Sequence, residues 1–197
     1  MIDFQLWKSK NKALPESIKV NGRAFPFRAG YKTILKIIAI LNDPEVIQPH
    51  KAERLVHLFF VDEIPDNWEE VFDWFVRCGD EPGEKRSGEQ KFDYDFDAPE
   101  IYASFLQLYH IDLIEEDLHW WRFSALLTGC FYCDCALSEK IRIRTIDVSK
   151  CENKAEAQRA KDSVRIPDRI GQGEQITMEQ ILERLARGEP VADLLGA

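Results

Sequence analysis

The sequence predicts a mostly α fold: a compact helical domain with an N-terminal β-hairpin or small sheet, plus a C-terminal helical tail. Three observations carry this. Residues 91–129 hold two successive helix start signals, each followed by apolar residues at three- and four-residue spacing. Residues 31–75 repeat that spacing three times between proline-marked breaks. Asn21-Gly22 lies between two short apolar runs and supplies the two positive-φ positions of a tight hairpin turn.

The composition allows such a core. The 197 residues are 45% hydrophobic and 11% aromatic, which suits a globular chain rather than a disordered one. A formal charge of −9 argues against general binding to nucleic acid or anionic membrane, since phosphate contacts need a basic surface. No signal-peptide pattern and no bilayer-length apolar run occurs, so a cytosolic protein is expected. Five cysteines, an odd number, fit free thiols better than a disulfide framework.

In chain order, the alternation of Ile2, Phe4 and Leu6 allows a strand. The hairpin spans 17–27, with Pro26 confining its second strand to an edge. A helix over 31–41 turns Ile34, Leu35, Ile38 and Leu41 inward and stops at Asn42-Asp43-Pro44. The next, over 49–61, places Ala52, Leu55, Val56, Phe59 and Phe60 on one face. Asp66 is the expected N-cap of a third, which carries Trp68, Val71, Phe72 and Phe75 and closes at Gly79. Residues 79–91 contain no large apolar side chain and read as a solvated loop.

Asp97 then sits at an N-cap position, with Pro99 in the first turn and Glu100 three residues on. Ile101, Tyr102, Phe105, Leu108 and Tyr109 share one face, and His110 falls where the chain should turn left-handed. Asp112 and Glu115 repeat the capping pattern. They predict a second helix from Asp112 to Gly129, with Ile114, Leu118, Trp121 and Ala125 on one face and Trp120, Phe123 and Leu127 beside it. A stripe that wide belongs to a buried helix, so the two tryptophans read as core rather than as an exposed docking pair. Helices are expected over 136–144 and 153–164. Residues 1–165 thus form a single domain, and 166–197 a linker and short C-terminal helix.

The search for chemistry assembles no catalytic, cofactor or metal site. Cys130, Cys133 and Cys135 lack the fourth ligand a structural zinc needs. Asp93, Asp95 and Asp97 alternate like a calcium loop, but Ala98 and Ser104 stand where that loop needs glycine and glutamate. Phosphate-binding glycine patterns and nucleophile or zincin motifs are missing, and the four histidines are scattered. The basic stripe Lys140, Arg142, Arg144, Lys150 and Lys154 reads as solvated or paired with neighbouring acids, with a dock for an acidic partner as the functional alternative. The tail carries the clearest unassigned apolar face, in Ile181, Leu182, Leu185, Leu194 and Leu195. These are the candidate partner-binding residues, with self-association as one outlet.

The series DYDFDAPEIYASFLQLY (93–109), IDL (111–113), LHWWRFSALL (118–127) and KIRIRTIDVSK (140–150) resembles the hallmark of the bacteriophage "gene product fifteen" family of siphophages. The N-terminal order fits as well: a hairpin, a helix, a DP break and a second helix ending in FFVDEIPDNW. The resemblance spans roughly residues 1–165; the tail departs from it. It implies a non-enzymatic tail assembly chaperone that binds the tape measure protein and keeps it soluble in the host cytoplasm, then is absent from the mature virion. The alternative is a structural adaptor retained in the tail. The acidic charge would keep a complex with an apolar client in solution.

Overall fold

A computed structural model describes residues 14–79 and 91–167. It is mostly helical, with a two-stranded antiparallel sheet at the start. The expected strand through Ile2, Phe4 and Leu6, most of the polar loop, and the tail with Ile181, Leu182, Leu185, Leu194 and Leu195 lie outside the described residues.

Strands β1 (Ser17–Val20) and β2 (Arg23–Pro26) pair with Val20 opposite Arg23, closing on a two-residue turn. Asn21 (φ 51°) and Gly22 (φ 81°) both take the left-handed conformations this turn demands. A lone hairpin is marginal in water, and this one leans on α2 (Gln48–Phe59). Phe27 bridges Phe60, and the Arg28 amide donates to the Phe59 carbonyl at 2.8 Å. The Arg28 guanidinium also donates to the carbonyls of His57, Leu58 and Phe60, which α2 leaves unpaired at its C-terminal end.

Helix α1 (Tyr31–Asn42) packs on α2 and α5 (Trp120–Cys130). Its first turn is fastened to the start of α5, Tyr31 N donating to Leu118 O and Trp120 N to Ala29 O. Helix α3 (Trp68–Val76) ends in a left-handed pair, Cys78 (φ 58°) and Gly79 (φ 83°). Their amides donate back to Phe75 and Trp74, a Schellman closure with cysteine where glycine is usual. The carbonyls of Phe75 and Val76 also receive the indole N–H groups of Trp121 and Trp120, at 2.8 and 2.9 Å. Both tryptophans are therefore buried and satisfied, as core residues should be. The second half adds α4 (Ala98–Tyr109), α6 (Ala136–Arg144), a 3₁₀ turn (Val148–Lys150) and the polar α7 (Lys154–Ser163), with α4 against α5 and α6. One aromatic core joins the halves, running Phe27, Phe59, Phe75, Trp121 on one side and Tyr31, Phe123, Phe105 on the other.

Three local expectations are corrected. The helix expected from Asp112 begins only at Trp120. Asp112 does accept from the Ile114 amide at 2.8 Å, but as a turn, because nearby carbonyls go to α1 instead: Leu113 O to the Tyr31 hydroxyl and Ile114 O to Lys32. Ile114 consequently stands in solvent rather than on a buried face, and Ala125 is exposed too. Gly129 is the penultimate residue of α5 rather than the residue just past its end. A Cβ there would come within 2.5 Å of the Tyr109 hydroxyl oxygen, so close approach requires this glycine. The N-cap of α3 is Asn67 rather than Asp66, and its side chain donates to Glu70 instead of capping. By contrast His110 adopts φ 55° and its amide closes α4 onto Leu106 O, the left-handed stop its position predicted.

Candidate functional site

Helix α4 organises the second half of the molecule, and its N-terminus holds the most buried charge. Asp97 caps α4 by position, yet its side chain makes no cap hydrogen bond. Instead it is fully buried and accepts two bonds from Arg144 of α6, at 2.8 and 2.9 Å, and one from the Asp93 amide at 2.9 Å. Lys140, one turn earlier on α6, bridges Asp97 at 3.0 Å and Glu100 at 2.8 Å. Burial pushes the Asp97 carboxyl up, but these hydrogen bonds and the Arg144 charge outweigh it and hold the group below the usual carboxylate range. Phe96 stacks under both cations, 4.5 Å from Lys140 Nζ and 5.8 Å from the Arg144 guanidinium carbon.

This geometry corrects one reading of the basic stripe. Lys140 and Arg144 point inward and are spent on Asp97, Arg142 pairs with Glu139, and Lys150 with Asp147. Lys140 and Arg144 are thus withdrawn from any outward dock for an acidic partner, while Arg142 and Lys150 stay exposed in their surface pairs and Lys154 is exposed. Asp93 likewise serves the backbone, its Oδ1 accepting from the amides of Asp95 and Phe96 at 2.9 Å each.

The thiols sit around the joint between α5 and α6. Cys130 is fully buried, and burial, with the neighbouring thiols adding to it, pushes its pKa up to about 11. Cys135 is the N-cap of α6 and donates to the Cys130 carbonyl at 3.3 Å. Burial raises it, but hydrogen bonds from Ser104, Ser138 and the α6 backbone hold it below the usual thiol value. Cys133 alone of the three is exposed. Among the described residues no group of three or more His, Cys, Asp or Glu side chains is placed to hold a metal ion. His119 caps α5: its Nδ1 accepts from Trp121 N at 3.1 Å, and the opposite nitrogen faces Pro15 O at 2.9 Å. The Nε2–H tautomer satisfies both contacts.

Several large apolar side chains are exposed. Tyr132 is 87% exposed and Ile114 69%, with Leu106 and Phe131 also large and accessible. The loop carrying Phe131 and Tyr132 is held by its own amides on Thr128 and Gly129 and by Ser138 Oγ on Cys133 O at 2.6 Å; the Phe131 ring lies 5.3 Å from Phe92. A mixed polar and apolar cleft of about 570 Å³ lies between the hairpin and residues 63–67, with Ile64 in its lining and Val61 exposed nearby. A second cleft, of about 320 Å³, lies between the end of α3 and Ala125 and Thr128 of α5. Sequence reasoning placed its partner-binding residues in the tail, outside the described residues. It missed Ile114 because the capping pattern assigned that residue to a buried helical face. Tyr132 lies between cysteines that it read only as potential metal ligands.

Neither a curated protein nor a solved structure matches the chain. A family model described as bacteriophage Gp15 protein matches residues 11–165, most of the 197-residue chain and all but two of its described residues. On that match the chain belongs to the bacteriophage Gp15 protein family.

Proposed function

We propose that this protein is a phage tail assembly chaperone that binds the tape measure protein and keeps it soluble while the tail is built, without itself catalysing a reaction. Family membership carries the phage context. The observation that supports binding is the contrast between an aromatic-filled core and large apolar side chains left in solvent, Tyr132 and Ile114 foremost. A long helical client whose apolar faces would otherwise associate needs such a surface. The net charge of −9 would keep the complex dispersed. The C-terminal segment, 166–197, would contribute to binding rather than to folding. Mass spectrometry tests the reading against its alternative, a structural adaptor. A chaperone is abundant in infected host cytoplasm and missing from purified virions, whereas an adaptor copurifies with the particle in fixed ratio to tail proteins.

A further inference from the structure

The exposed apolar side chains of the second half are not scattered. Helix α4 turns Ala103, Leu106, Gln107 and His110 outward, with Tyr102 at the margin. Two side-chain bonds place a loop on each flank of this face. Tyr102 Oη lies 3.3 Å from Asp112 Oδ2, which sets the 112–117 loop and Ile114 on one side. Gln107 Nε2 donates to Asp134 O at 3.4 Å, which sets the 131–134 loop and Tyr132 on the other. Ile114, Leu106 and Tyr132 thus form a strip carried by α4 and the two loops fastened to it.

The rim of that strip is acidic. One loop supplies Asp112, Glu115, Glu116 and Asp117, and the other Asp134. Of the cations, Lys140 is held by Asp97 and Glu100, whereas Lys32 donates to the Ile114 carbonyl and keeps its single charge there against the five acids. His110 is exposed at the end of the helix.

We infer that this face is a docking surface for a basic amphipathic helix, which lays leucine-like residues on Leu106, Ile114 and Tyr132 and sets lysines or arginines against the acidic rim. The charge selects the occupant. A second copy of this acidic chain, an anionic membrane or a nucleic acid would meet repulsion here. The inference rests on the chaperone reading only for the client's name; the surface chemistry stands on the residues.

The experiment uses the full chain and two synthetic helices of about 18 residues, five turns each. One carries leucine and lysine in an amphipathic pattern, the other leucine and glutamate. Fluorescence anisotropy reads their affinities across a salt series. The lysine helix binds at least about tenfold more tightly than the glutamate helix, and its affinity falls with salt. Leu106→Ser and Ile114→Ser each weaken it by about tenfold, the scale of one lost apolar anchor. Glu115→Lys with Glu116→Lys weakens it and flattens the salt dependence. Val61→Ser and Ile64→Ser, on the hairpin side, leave it unchanged, as does Glu53→Lys, a charge reversal on α2. These replaced side chains are all exposed, and circular dichroism confirms that each variant is folded. Equal binding of both helices, or unchanged affinity in both serine variants of the strip, overturns the inference. So does a loss in Glu53→Lys as large as in the loop pair. If the strip variants lose the peptide yet still solubilise the tape measure protein, the chaperone reading survives and this surface is not its client site.

Discussion

Replacing Asp97 by alanine should be among the most damaging single changes the fold can suffer. The carboxylate is fully buried and receives Arg144 twice, the Asp93 amide and Lys140. Without it the two cations fare differently. Lys140 keeps Glu100 at 2.8 Å. Arg144 keeps no anion, only the Phe96 ring and the carbonyls of Lys91 at 2.6 Å and Val164 at 2.8 Å, and its side chain is just 6% exposed. A buried charge that loses its counter-ion costs about 3–5 kcal/mol. Against a total stability of about 5–15 kcal/mol this is a large share. Urea unfolding measures it, with an unchanged slope showing that only stability moved. Removing both partners, Asp97→Leu with Arg144→Met, should cost clearly less than the two single changes together, because no charge is stranded. The pH dependence has a definite sign. A carboxyl held below its unfolded value contributes stability that is fully present above about pH 4 and lost as pH falls through the lower folded value. The gap between wild type and Asp97→Ala should therefore close in acid. If Asp97→Ala unfolds within about 1 kcal/mol of wild type at neutral pH, well under the penalty for a stranded buried charge, the network does not hold α4 to α6.

Other expectations follow from single contacts. Trp121→Ala empties a core site and loses the bond to Phe75 O, so it should destabilise by about 3–5 kcal/mol in the same assay. Gly129→Ala should cost about 1–3 kcal/mol by collision with the Tyr109 hydroxyl, and a Tyr109→Phe background should remove most of that loss, since the next ring atom lies 3.7 Å away. His110→Gly should stabilise by about 0.5–1 kcal/mol, because the left-handed turn strains any side chain more than glycine's added freedom costs. Iodoacetamide footprinting should label Cys133 well before Cys130 or Cys135, which are buried.

The sequence announced those features whose causes are local. Asn21-Gly22 forces its turn, His110 ends its helix, and the tryptophans fall on the buried side of theirs, all within a few residues of the signal. It misled where a local pattern had two outcomes. Asp112 with Glu115 can cap a helix or close a turn, and the choice is made by Tyr31 and Lys32, some eighty residues earlier, which take the carbonyls a helix would need. Asp97 is the same lesson at the site. Its spacing to Glu100 spells a capping box, but Arg144 and Lys140 arrive from α6 and claim both carboxylates. Nothing near residue 97 could reveal a partner 47 positions on. The exposed strip was hidden for the same reason: once Ile114 was assigned to a helix, its place in solvent could not be seen. The tail and its apolar residues lie outside the described residues, so their part in binding rests on the sequence alone.

The central claim is that this protein keeps a tape measure protein in solution. Its most direct test is the soluble fraction of the tape measure protein from the same phage, expressed alone and together with this chain, followed by copurification at moderate salt. The account predicts aggregation when it is expressed alone, recovery in the soluble fraction on co-expression, and a complex that weakens in the Leu106→Ser and Ile114→Ser variants. A tape measure protein that is equally soluble with and without this chain, and that does not copurify with it, would contradict the account.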